Sequence, residues 1–139
     1  MPAKLNVRAA VLCDDVRVEN NGKAILIGVY SGDVAVPATP FLLPFYVWTN
    51  FSPEGLGEIA VNFRISFQGK PVVSGRGGIT VERTEDVILL LPQFLVKGEE
   101  GGELLVEMQQ EDGAWSTIIR KQIVKRTDLF SPISTGASG

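Results

Sequence analysis

From Ile59 to Phe67 every second residue is apolar: Ile59, Val61, Phe63, Ile65 and Phe67 alternate with Ala60, Asn62, Arg64 and Ser66. Successive side chains of an extended strand point to opposite faces, so this spacing lines one face with hydrophobes and leaves the other polar. Wound as a helix, the same residues scatter around the circumference. A strand with one apolar face is stable only when a second layer covers that face, which points to packed sheets.

Turn signals divide the rest of the chain into hairpins. Asn21-Gly22 is the strongest of them, because a type I′ turn requires positive φ at both central residues. Folding there sets Val16 opposite Ile27 and Val18 opposite Ile25, with Arg17 and Glu19 on the other face. Upstream, Leu5, Val7, Ala9, Val11 and Cys13 alternate as an extended strand. A turn at Gly69-Lys70 sends the chain back through Pro71-Val72-Val73 to Ile79-Thr80-Val81; Gly75-Arg76-Gly77-Gly78 between them reads as a bulge or sharp bend. Asp112-Gly113 is a third hairpin tip, bringing Val106 opposite Ile119 and Met108 opposite Thr117, with Leu104 and Trp115 on the same apolar face. Glu103, Glu107 and Glu111 then lie across from Ser116, Arg120 and Gln122 on a polar face. No helical pattern of useful length and no internal repeat interrupts this series. The expectation is a single all-β domain over residues 1–126, an antiparallel two-sheet β-sandwich, immunoglobulin-like or similar, of roughly seven to nine strands. Residues 127–139 have the composition of a tail.

Two segments depart from alternation. Phe41-Leu42-Leu43-Pro44-Phe45-Tyr46-Val47-Trp48 and Val87-Ile88-Leu89-Leu90-Leu91 are apolar at consecutive positions, so as strands they present hydrophobes to both faces. Either a loop or a neighbouring subunit covers the outer face, or these strands twist between the sheets. The mean hydropathy of +0.17 fits apolar surface that meets a partner subunit, and it fits a well-filled core equally. Phe41, Phe45, Tyr46 and Trp48 are the candidate contact residues, because large aromatics gain most from burial at an interface.

The chain contains no histidine and one cysteine, which removes Ser–His and Cys–His nucleophile systems and the commonest metal ligand. A carboxylate-only hydrolase needs two acids a few ångströms apart, and no spacing singles out such a pair. Cys13 on an apolar strand reads as a small buried hydrophobe; standing alone, it forms no intramolecular disulfide and suits a reducing compartment. A net charge of −3 gives no basic footprint for nucleic acid. Lys4, Asn6 and Arg8 break any secretory apolar region, and no apolar run is long enough to span a membrane. The expectations are a cytoplasmic location and no cofactor. Asp14, Asp15, Tyr30 and Asp33 gather towards one end of the sandwich and are the candidate ligand-binding residues. Calcium takes several oxygen ligands, but no loop here has an ordered ligand spacing, so no metal is expected. Ser74-Gly75-Arg76-Gly77-Gly78 offers one arginine to an anion and reads first as backbone geometry.

The opening third carries Cys13-Asp14-Asp15-Val16-Arg17, then Asn21-Gly22-Lys23, then Ile27-Gly28-Val29-Tyr30-Ser31-Gly32-Asp33. In these residues it resembles a family of small bacterial and phage-associated proteins classed as a domain of unknown function. The resemblance implies a bacterial or prophage source and supplies no activity or site residues. The final third, Leu91 to Val124, is similar to the closing strands of immunoglobulin-like sandwiches, without the Cys…Trp…Cys spacing of a true immunoglobulin domain.

Three functions fit these residues. The leading one is a non-enzymatic protein-interaction or structural module, working as a homo-oligomer or docked on another protein, with a second copy of itself the favoured partner. The second is a small-ligand or carbohydrate binder using the Asp14–Asp33 end. The third is a carboxylate-based enzyme, which needs acids converging in a pocket.

Overall fold

A computed structural model describes residues 3–127, and among them ten strands: β1 (Lys4–Val18), β2 (Ala24–Val29), β3 (Val34–Val36), β4 (Phe41–Glu54), β5 (Gly57–Phe67), β6 (Lys70–Val81), β7 (Val87–Leu90), β8 (Phe94–Gly98), β9 (Gly102–Gln110) and β10 (Ser116–Lys125). The first sheet runs β2-β1-β4-β7, and β8 continues along the same side of β4 past a break at Leu91-Pro92-Gln93. The second runs β3-β10-β9-β5-β6. The fold is the expected all-β sandwich, with two departures: it has ten strands among the described residues in place of the roughly seven to nine expected from turn spacing, and β3 pairs parallel to β10 while every other pairing is antiparallel. No helix among the described residues is long and apolar enough to cross a membrane. Of the expected tail, residues 128–139 lie outside the described residues.

The alternation of β5 survives intact, with Ile59, Val61, Phe63, Ile65 and Phe67 all buried. They meet the inner row of the first sheet in two adjoining apolar clusters. One gathers Leu12, Phe45, Val47 and Val96 against Ile65, Phe67, Leu104, Val106, Ile119 and Ile123. The other sets Leu5 and Phe51 against Ile59, Val61, Phe63 and Met108. Leu91 and Ile118 pack on both. The Gln110 side chain ties the sheets together at one end, accepting from Leu5 N and donating to Leu5 O, both at 2.7 Å.

The turns hold but their registers move. Gly22 N donates to Glu19 O and Glu19 N to Lys23 O, with only Gly22 of this loop at positive φ (86°). This is a type I turn closed by a glycine bulge, so Val16 faces Leu26 and Arg17 faces Ile25, one residue away from the type I′ register. At the next hairpin the tip is Gln68-Gly69, both at positive φ (53° and 76°), and Lys70 already pairs with Phe67. The bulge assigned to residues 75–78 lies earlier, at Val72, and Gly75 to Gly78 run as regular extended strand. Val106 does face Ile119, but an extra residue at Ile118 pairs Met108 with Ser116. That same extra residue turns Trp115 away from the core face, and Arg64 lies over its ring at 4.0 Å.

Candidate functional site

The even-numbered residues of β4 point away from the core, because the odd-numbered ones fill it: Phe41, Phe45, Val47, Thr49 and Phe51 are all buried. Phe41 and Phe45 are thereby removed from the candidate contact surface. Phe41 packs edge-on to Phe67 (5.7 Å, 82°), and Phe45 packs on Tyr30 and Phe94. Tyr46 and Trp48, half-buried, stand on the outer face. The pairing places Cys13 and Val29 in line with Tyr46, Val11 and Leu90 in line with Trp48, Ile88 beside Asn50, and Leu95 beside Pro44. Ile25 and Ile27 extend the face along β2, and Leu42 extends it along β4.

Seven of the eleven exposed large hydrophobics among the described residues stand on this one face: Ile25, Ile27, Val29, Leu42, Ile88, Leu90 and Leu95. Its charges are of both signs: the Arg17–Asp15 pair (3.5 Å) beside Ile25 and Ile27, Lys97 beside Leu42, Lys4 beside Glu54, and the Arg8–Asp86 pair (3.1 Å) reaching from β1 to the start of β7. At its centre, Trp48 Nε1 and Asn50 Oδ1 are buried without a hydrogen-bond partner. Native structures pair nearly all such atoms, and each unpaired one costs about 1–3 kcal/mol. The Cys13 thiol, also on this face, is fully covered, donates weakly to Tyr46 O (3.8 Å), and is pushed up in pKa by burial. It is a packing residue with little thiolate character.

At the Asp14–Asp33 end, the structure joins Asp14 with Tyr30 and gives the other acids separate partners. The Tyr30 hydroxyl donates to Asp14, and the ring lies edge-on to Phe45 at 5.5 Å. Burial, then the hydrogen bond to the Asp14 carboxylate, pushes the Tyr30 phenol well above its usual pKa. Asp15, one residue along β1 and thus on the opposite face, pairs with Arg17 and accepts from Val16 N (2.9 Å). Asp33 pairs with Arg126 at 3.8 Å. Among the described residues no three Cys, Asp or Glu side chains gather as a metal site.

Two clefts of about 320 Å³ each lie elsewhere. One is lined by Ala3, Ile59, Met108, Gln110 and Glu111 near the Gln110 tie. The other opens between the sheets at the β6 and β7 edges, walled by Val61, Phe63, Ile65, Ile79, Leu89 and Leu91 and floored by Gly75 and Gly77. Neither brings two carboxylates together. The sequence reading missed the second cleft, although its signal was present: glycines two apart share one row of a strand. No protein-family model matches this chain, and no curated protein matches it either.

Proposed function

We propose that this protein is a non-enzymatic interaction module that associates with a second copy of itself through the outer face of its first sheet. The carrying observation is the concentration of exposed hydrophobes there, centred on Tyr46 and Trp48 and flanked by charges of both signs. An apolar centre within a polar rim is the anatomy of a protein interface, and aromatic side chains supply most of the binding energy in such centres. A two-fold contact sets the apolar centre of one copy on that of the other, and a rim that carries both acids and bases can pair with itself.

The test is solution mass by light scattering over a range of protein concentrations, for the wild type and for Ile27→Glu/Leu95→Glu. Both side chains project outward, at 39% and 55% exposure, so their replacement leaves the core untouched. The wild type is expected to be a dimer that the double variant converts to a monomer. A wild type that stays monomeric at every concentration, or a variant with unchanged mass, overturns the proposal.

A further inference from the structure

The second sheet ends at β6, whose far edge has no strand partner among the described residues. From Val73 to Val81 it pairs with β5 in unbroken register, so its outer edge carries a regular row of backbone donors and acceptors. Proteins protect such edges with prolines, bulges or charge; β6 has Pro71 and its bulge at one end, and Arg76 alone within the regular stretch.

The row of β6 that faces the core reads Val73, Gly75, Gly77, Ile79, in line with Ile65, Phe63, Val61 and Ile59. Two side chains are therefore absent where a sandwich normally fills its interior. Neither glycine is needed for the backbone, since neither lies at positive φ, and a Cβ added to Gly75, Gly77 or Gly78 meets nothing within 4 Å. Glycine in a strand weakens it and packs nothing. The cleft is thus kept open at a cost in stability, by residues that have no other structural reason to be glycine.

We infer that the β6 edge and its glycine-floored cleft form a receptor for an extended peptide segment of another protein, with apolar residues at alternate positions and an acidic residue between them. A strand added to β6 bonds to the free edge through its backbone. Its alternate side chains enter the cleft over Gly75 and Gly77, against Phe63, Leu89 and Leu91. The intervening side chains emerge beside Ser74, Arg76 and Gly78, on the outward row with Asn62 and Arg64. Arg64 is committed to Glu107 at 2.8 Å, whereas Arg76 has no ion-pair partner among the described residues. An acid on the incoming strand supplies that partner. A second copy fits poorly: two β6 edges paired about a two-fold axis at Arg76 bring Arg76 towards Arg76 and set Gly75 and Gly77 against each other, which leaves the middle of the cleft unfilled. A purely aliphatic ligand leaves the backbone edge unused.

The experiment pans a phage-displayed library of random decapeptides against the full chain. It then measures the selected peptides by calorimetry on the wild type, on Gly75→Val/Gly77→Val and on Arg76→Glu. Expected are sequences with alternating hydrophobes flanking Asp or Glu. Affinity should drop at least about tenfold on the valine variant, and Arg76→Glu should prefer peptides with Lys in place of the acid. The valine variant should melt at a higher temperature than the wild type, which shows that it folds; Gly75→Ala/Gly77→Ala gives a milder filling on the same scale. Peptides that bind the filled variant as well as the wild type overturn the inference, as does binding of dodecanoate alone in the cleft. Binding of a synthetic peptide of residues 128–139 in place of the selected ones also overturns it, making the chain's own segment the occupant. The glycine variants do not touch the outer face of the first sheet, so their mass by light scattering reports on self-association separately.

Discussion

Gly28 shows how much one residue settles at the Asp14–Tyr30 corner. Its φ of +69° is left-handed, and a Cβ there would collide with the Asp14 carboxylate, which occupies the vacant space. Asp14 held in that seat accepts the Tyr30 hydroxyl, and Tyr30 in turn packs on Phe45. Gly28→Ala is expected to destabilise by more than about 1 kcal/mol, from backbone strain and displacement of Asp14 together, measured by urea unfolding. Tyr30 also fixes an alkaline limit. Its folded pKa lies above the unfolded value of about 10, so its contribution is complete below that pH and fades as the pH rises through the folded value. Tyr30→Phe is therefore expected to show a flatter fall in Tm above about pH 10 than the wild type. The hairpin spacing already placed Asp14 near Tyr30. The partner of Asp33 was beyond reach of the sequence, because Arg126 arrives at the far end of β10 through the parallel pairing with β3.

Among the elements, turn residues marked where hairpins lie but not how they close. Asn-Gly suits a two-residue loop and also a type I turn with a glycine bulge, and the two differ by one residue of register. The third hairpin shows the consequence: the extra residue at Ile118 moves Trp115 onto the outer face, over the Arg64–Glu107 pair. Propensity does not reveal such a residue, since Ile118 is an ordinary strand former. The Arg64 hydrogen bond holds Glu107 below the usual carboxylate pKa. Arg64→Ala is thus expected to cost about 1 kcal/mol at pH 7, from the lost ion pair and cation–π contact together. Glu107 contributes above its unfolded pKa and stops contributing once protonated, so the gap between the two proteins should narrow at pH 3, read from denaturant midpoints at both pH values. The strands β5 and β4 fared differently for a related reason. Strict alternation in β5 named its buried row outright, whereas the unbroken apolar run of β4 left open which of its aromatics faced inward.

For the whole molecule, the consecutive apolar residues at 41–48 and 87–91 put hydrophobes on the outer face of one sheet, where the two segments meet at Trp48–Leu90 and Val47–Leu91. If that face joins two copies, association stabilises the folded state by mass action. The Tm of the wild type is then expected to rise with protein concentration, while that of Ile27→Glu/Leu95→Glu stays constant, by calorimetry across a dilution series. The interleaving of early and late strands carries a further consequence, for synthesis. Leu5 leans on Gln110, 105 residues away, and among the described residues β3 gains its ladder from β10 alone. Translation adds roughly 5–20 residues each second. A growing chain can therefore lay β5 on the inner row of β1 and β4 early, but the places filled by Leu104, Val106, Met108, Ile119 and Ile123 stay open until β9 and β10 have left the ribosome, so closure of the domain waits on its last two strands.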